Sequence, residues 1–197
     1  ASSAPMDAEA KLLMACIPGL KAAYGGAQNA DIQNDVTLNI TNGTFDRVFG
    51  GNNISGTIRG SITVNVEETG CKPLIIGELY GGGNLAGYSV YGYEDDRTPK
   101  ESGTTKLYAD PVVNVKSFTS IGNIYGGGYG ESAVMVGDPT VNISVALGDK
   151  ANEDAAEIKY GVNDKTPGGF AVPSHEKGQI GAINNVFGGG NAAEVVG

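Results

Sequence analysis

The sequence predicts an all-β fold: a right-handed parallel β-helix (β-solenoid) with three short strands per coil, a short N-terminal capping helix and two loop insertions. Three observations predict it. An apolar-aromatic-glycine phrase occurs four times, as Val48-Phe49-Gly50-Gly51, Leu79-Tyr80-Gly81-Gly82-Gly83, Ile124-Tyr125-Gly126-Gly127-Gly128 and Val186-Phe187-Gly188-Gly189-Gly190. A second phrase alternates with it, as Thr37-Leu38-Asn39-Ile40, Thr63-Val64-Asn65-Val66, Val112-Val113-Asn114-Val115 and Thr140-Val141-Asn142-Ile143. Between the glycine clusters, apolar and polar side chains alternate with the period of two that marks a half-buried strand.

Taken in order, residues 1–20 read as a cap. Pro5 sits near a first helical turn, Asp7 and Glu9 favour the positive end of a helix, and Pro18-Gly19 stops it. Leu13, Cys16, Ile17 and Leu20 would line one face, although Lys11 to Ile17 also suits a strand. Residues 21–197 then form the coils, with Tyr24-Gly25-Gly26 as a worn first copy. In each coil one strand carries the Asn phrase and a second ends at the glycines, which turn the chain because glycine takes φ > 0 without steric cost. Third strands are expected at 54–59, 85–91, 132–136 and 192–196. Insertions at 93–110 and 147–178 interrupt the pattern. The whole reads as a single array, 1–197, and its stop at Gly197, where earlier coils hand over, suggests a piece of a longer chain. Further coils or another subunit would stack on that end.

Composition narrows the function. Glycine supplies 32 of 197 residues, more than twice the ordinary share of about 7%, without the every-third spacing of collagen. The plentiful, alternating Val and Ile argue against disorder. A net charge of −9, with 22 acidic against 13 basic residues, disfavours nucleic acid as a partner. No apolar run reaches the ~18 residues of a membrane span, so no membrane insertion is expected within this segment. Cys16 and Cys71 hold nearly equivalent places in coils two rungs apart, about 9–10 Å. That is too far for a disulfide, so free thiols are expected.

No catalytic constellation stands out. His175 is the single histidine and no Gly-x-Ser-x-Gly turn accompanies it. Asp46 and the acids of the insertions have no spacing that pairs them for glycoside hydrolysis. Glu94-Asp95-Asp96 offers oxygens for Ca²⁺ but lacks the spacing of a known loop, so no metal is expected. The glycine phrases lack the Lys-Ser or Lys-Thr of a phosphate cradle, so no cofactor is expected either. Asn39, Asn65, Asn114 and Asn142 would form an amide ladder. Tyr24, Phe49, Tyr80, Tyr125 and Phe187 would stack as a ring column, read as core. Tyr88, Tyr91, Tyr93 and Tyr129 stray from the pattern and are the candidate ligand-binding residues.

The segment Gly188-Gly189-Gly190-Asn191-Ala192-Ala193-Glu194-Val195-Val196-Gly197, with Leu79-Tyr80-Gly81-Gly82-Gly83-Asn84, resembles the repeat of large β-helical surface proteins common among gut Bacteroidetes. More loosely it is similar to the passenger helices of adhesins and autotransporters. The resemblance covers about residues 20–197. It implies export, display at the bacterial cell surface, and a structural or adhesive role toward extracellular glycans or a host surface. It carries over no catalytic residues. The expected function is therefore a non-enzymatic stalk or fibre segment, the alternative being a carbohydrate-active β-helix of the polysaccharide lyase or hydrolase type.

Overall fold

The computed structural model describes residues 19–69, 73–89, 110–144, 166–173 and 181–196. Among them are twelve strands: β1 (Gly19–Tyr24), β2 (Val36–Ile40), β3 (Gly43–Phe49), β4 (Ile62–Glu67), β5 (Leu74–Tyr80), β6 (Tyr88–Ser89), β7 (Val112–Ser117), β8 (Ser120–Tyr125), β9 (Met135–Val136), β10 (Thr140–Ile143), β11 (Ala182–Phe187) and β12 (Val195–Val196). They form a five-stranded sheet in the order β1-β3-β5-β8-β11, a four-stranded sheet β10-β7-β4-β2, and a three-stranded sheet β12-β9-β6. Every pairing is parallel.

This corrects the expectation of a right-handed parallel β-helix with three strands per coil. The described residues build two principal parallel sheets and contain no helix. Among the described residues, the segments expected as third strands hold only the two-residue strands β6, β9 and β12, and near residues 54–59 bridges at Ser55 and Ile58. The backbone explains the loss. Gly56 and Gly130 sit at φ of 95° and 86°, which breaks an extended run. The buried Asn52 amide takes backbone groups that a ladder would otherwise use: it accepts from Ala27 N–H at 2.8 Å and donates to Ala30 O at 3.1 Å. The expected capping helix, residues 93–109 of the insertion 93–110, residues 147–165 and 174–178 of the insertion 147–178, Cys16 and Cys71 lie outside the described residues, while Gly19 and Leu20, assigned to the cap, are strand.

The two large sheets share one core. In β4 the alternation is complete: Ile62, Val64 and Val66 are sealed from solvent, and Thr63 and Asn65 face outward. Val48, Leu79 and Ile124 from the five-stranded sheet meet them, with Phe45, Ile76 and Ile121 farther along the same strands. At the corner between the sheets Glu68 is buried as an acceptor: its Oε2 receives Leu74 N–H at 2.9 Å and the Thr119 hydroxyl at 2.8 Å. A buried carboxylate is tolerated when donors satisfy it in this way.

The recurring phrases pair with each other residue for residue. Phe49 lies opposite Tyr80, Tyr80 opposite Tyr125, and Tyr125 opposite Phe187. Asn39, Asn65, Asn114 and Asn142 follow one another in the second sheet. Leu79→Ala is expected to cost about 2–5 kcal/mol, because the side chain is fully buried at the centre of this stack; chemical denaturation followed by circular dichroism measures it.

Candidate functional site: the ring column and the segment that crosses it

The strand spacing of about 4.8 Å decides what the aligned side chains do. Tyr24, Phe49, Tyr80, Tyr125 and Phe187 stack with centroids 4.8–5.1 Å apart and planes within 5–11° of parallel. Each such pair adds about 0.5–1.5 kcal/mol beyond area burial. In the other sheet the carboxamides form a directional chain, Asn65 donating to Asn39 at 2.8 Å, Asn114 to Asn65 at 2.9 Å and Asn142 to Asn114 at 3.0 Å. Asn185 to Asn123 and Asn84 to Asn53, both at 2.9 Å, repeat the device elsewhere.

Beside the rings lies a polar cluster. Arg47 Nε meets Glu78 Oε2 at 2.8 Å. The Tyr80 hydroxyl donates to the same oxygen at 3.0 Å, and Asn191 Nδ2 donates to the Tyr80 hydroxyl at 3.2 Å. The Arg47 guanidinium lies over the rings of Tyr129, 4.4 Å away, and Phe170, 5.0 Å away. Tyr129 in turn packs edge-on against Tyr80 at 5.7 Å. Such cation–ring contacts strengthen as water is excluded.

Phe170 belongs to a segment, residues 166–173, that runs across the five-stranded sheet. A Cβ at Gly19 would touch the Pro167 ring, the Gly168 N–H donates to the buried Asp46 carboxylate, Phe170 lies against Gly77, and the Ala171 carbonyl lies against Gly122. Ser120 donates its hydroxyl to the Pro173 carbonyl. Four neighbouring strands are thus crossed in order, over two strand-interior glycines, 77 and 122, where a Cβ would meet both the crossing segment and the carbonyl oxygen of the adjoining strand. In the sequence this stretch is part of an insertion. The legible signal for its docking place is the pair of mid-strand glycines, whose role becomes plain once their partners are seen.

Of the four tyrosines singled out by sequence, the structure describes two. Tyr88 is buried, and its hydroxyl donates to Gly60 O at 2.7 Å, so its ring has no face for a ligand. Tyr129 is half-buried and engaged with Arg47 and Tyr80. The two are not brought together: Tyr88 packs in the core and Tyr129 beside the ring column. Tyr91 and Tyr93 lie outside the described residues, as do His175 and the acids 94–96. Asp46, weighed as a hydrolytic carboxylate, instead holds the crossing segment. Among the described residues no cluster of His, Cys, Asp or Glu is arranged to hold a metal ion, and no helix is long and apolar enough to cross a membrane. Comparison of the chain with protein-family models, curated proteins and solved structures finds no match.

The electrostatics fit a cohesive cluster. Burial alone would lower the Arg47 pKa, but the hydrogen bond and charge of Glu78 outweigh it, and the net shift is upward. Burial pushes the Tyr80 phenol well above its ordinary value; the Asn191 contact offsets part of this and the Glu78 charge adds to it. Tyr88 is raised by burial, then by the charges of Asp110 and Asp35. A phenol raised in the folded state stabilises the fold fully below its unfolded pKa of about 10. That contribution drains away as pH rises above this value, because the unfolded chain then releases protons the folded chain keeps. The melting temperature is therefore expected to fall above about pH 10, and Tyr88→Phe to flatten the fall; thermal melts across an alkaline series check both. Arg47→Ala is expected to cost about 1.5–3 kcal/mol and to expose residues 166–173 to limited proteolysis. Arg47→Lys restores little, since it lacks the planar fork that both holds Glu78 and stacks on rings.

Proposed function

We propose that this chain is an extracellular or cell-surface structural and adhesion module, a stiff stack of parallel strands that holds a glycan- or host-facing surface and performs no catalysis. The observation that carries this reading is where the polar side chains are spent. The asparagines hydrogen-bond from strand to strand, Arg47 and Glu78 bind each other, and Lys116 pairs with Glu67 at 3.1 Å. Asp46 and Glu68 hold backbone groups. Chemistry-bearing groups that are used for cohesion make a rigid support. The likeness of the Gly-Gly-Gly-Asn phrases to surface proteins of gut Bacteroidetes, described above, favours display outside the cell.

The half-buried ring of Tyr129, with Arg47 beneath it and the column of rings beside it, is the contact point among the described residues. An aromatic face backed by a cation suits the apolar face of a sugar ring while the guanidinium edge reaches its hydroxyls. Binding to a glycan array is the test. The full chain is expected to retain a defined set of glycans, and Tyr129→Ala to weaken that binding about tenfold, the loss of roughly one anchoring contact. Incubation with acidic polysaccharides is expected to yield neither new reducing ends nor unsaturated products; their release would replace this reading with a carbohydrate-active one.

A further inference from the structure

In the five-stranded sheet β1, β3, β5 and β8 each run into glycine for a reason that lies in the next strand. A Cβ at Gly25 would strike the carbonyl oxygen of Gly50; at Gly50, that of Gly81; at Gly81, that of Gly126; and at Gly126, that of Gly188. The amides follow the same order. Gly25 N–H donates to Phe49 O, Gly50 to Tyr80 O, Gly81 to Tyr125 O and Gly126 to Phe187 O, at 2.8–2.9 Å. One residue on, Gly26 donates to Gly51 O, Gly51 to Gly82 O, Gly82 to Gly127 O and Gly127 to Gly189 O, at 3.0–3.2 Å.

Both series stop at β11. A Cβ built at Gly188 would meet nothing within 4 Å, and one at Gly189 only the Val195 methyl at 3.9 Å. Neither residue has the positive φ that demands glycine. Among the described residues, then, neither position has a steric or conformational reason to be glycine, although each continues a column in which glycine makes room for a neighbouring backbone. The side chains beside them are open as well. Val186 and Phe187 are each 44% exposed, whereas Val48, Leu79 and Ile124, in line with Val186, are sealed.

We propose that the free edge of β11, with Gly188 and Gly189, is a docking edge for β1 of a second copy of this chain, paired in parallel. The occupant must bring a carbonyl over Gly188 and acceptor carbonyls opposite the N–H groups of Gly188 and Gly189. In the five-stranded sheet β1 is the other terminal strand, and its Tyr24, Gly25 and Gly26 occupy the same columns. Extending the register places Tyr24 of the incoming copy on the exposed face of Phe187, Ala23 on Val186 and Leu20, itself 39% exposed, on Ile183. The contact continues one the chain already makes between β1 and β3, β3 and β5, β5 and β8, and β8 and β11. The second sheet has four strands to the first sheet's five, so β10 and the incoming β2 stay one strand apart and the joint runs through β11 and β1. A head-to-tail contact of this kind does not close on itself, and growth gives a filament.

Gly188→Val tests this cleanly, because the new side chain enters open space in one copy and the path of the incoming carbonyl in a pair. Sedimentation velocity of the full chain over a concentration series is expected to show its average mass at least doubling, with linear particles in negative-stain images. Gly188→Val is expected to stay at the mass of one chain with unchanged circular dichroism and melting temperature. Phe187→Lys, a charge on the same exposed edge, is expected to behave alike and decides the matter should the valine variant fail to fold. A wild-type chain that remains single at every concentration overturns the proposal, as does association undiminished in a folded variant.

Discussion

The structure depends on one constraint, parallel pairing in strict register between segments that carry the same phrase. The backbone ladder sets a distance of about 4.8 Å from strand to strand, and side chains at matching positions have no choice but to lie over each other. Flat rings at that distance stack, carboxamides at that distance hydrogen-bond, and the apolar side chains of successive strands pack on one another in the core. A slip of one residue would turn every apolar group outward. The ring column and the amide ladders thus read out the register and also defend it, since each loses its contacts if any strand shifts.

Glycine has a corresponding role at the strand ends. At the point where each strand leaves the sheet, neighbouring backbones come so close that a Cβ at Gly50 or Gly81 would occupy the place of a carbonyl oxygen. The same closeness recurs where residues 166–173 cross at Gly77 and Gly122. The abundant glycine therefore permits dense packing of backbone on backbone and has little to do with flexibility. The charged groups follow the same economy of space. Glu68 and Asp46 are buried because backbone N–H groups, which the local geometry would otherwise leave exposed to a dry interior, donate to them.

Much of this was legible in the chain. The positions of β2, β4 and β7 follow from alternation, and the ladders of Asn39 to Asn142 and of the five rings follow from matching phrases. The third strands expected at 54–59, 85–91, 132–136 and 192–196 are met only in part: two-residue strands stand within the last three, and isolated bridges within the first. At 54–59 the conformation of Gly56 and the Asn52 side chain outcompete the ladder, and neither is visible as a departure from period two. Tyr88 shows the same gap: a tyrosine out of phase with the pattern looks free, yet it lies in the core with its hydroxyl on a backbone carbonyl. The polar cluster at Arg47 was not legible either, because it joins residues 47, 78, 129, 170 and 191 from five separate stretches of chain.

The sequence by itself determined which residues form most strands of the two large sheets and which of them match, because periodicity and repetition are local properties that survive without a fold. The tertiary structure alone decided how the strands divide into sheets of five, four and three, which polar groups meet, and which edge stays open. Those outcomes depend on backbone closeness between segments far apart in the chain, and such closeness leaves only the glycines as its trace in the sequence.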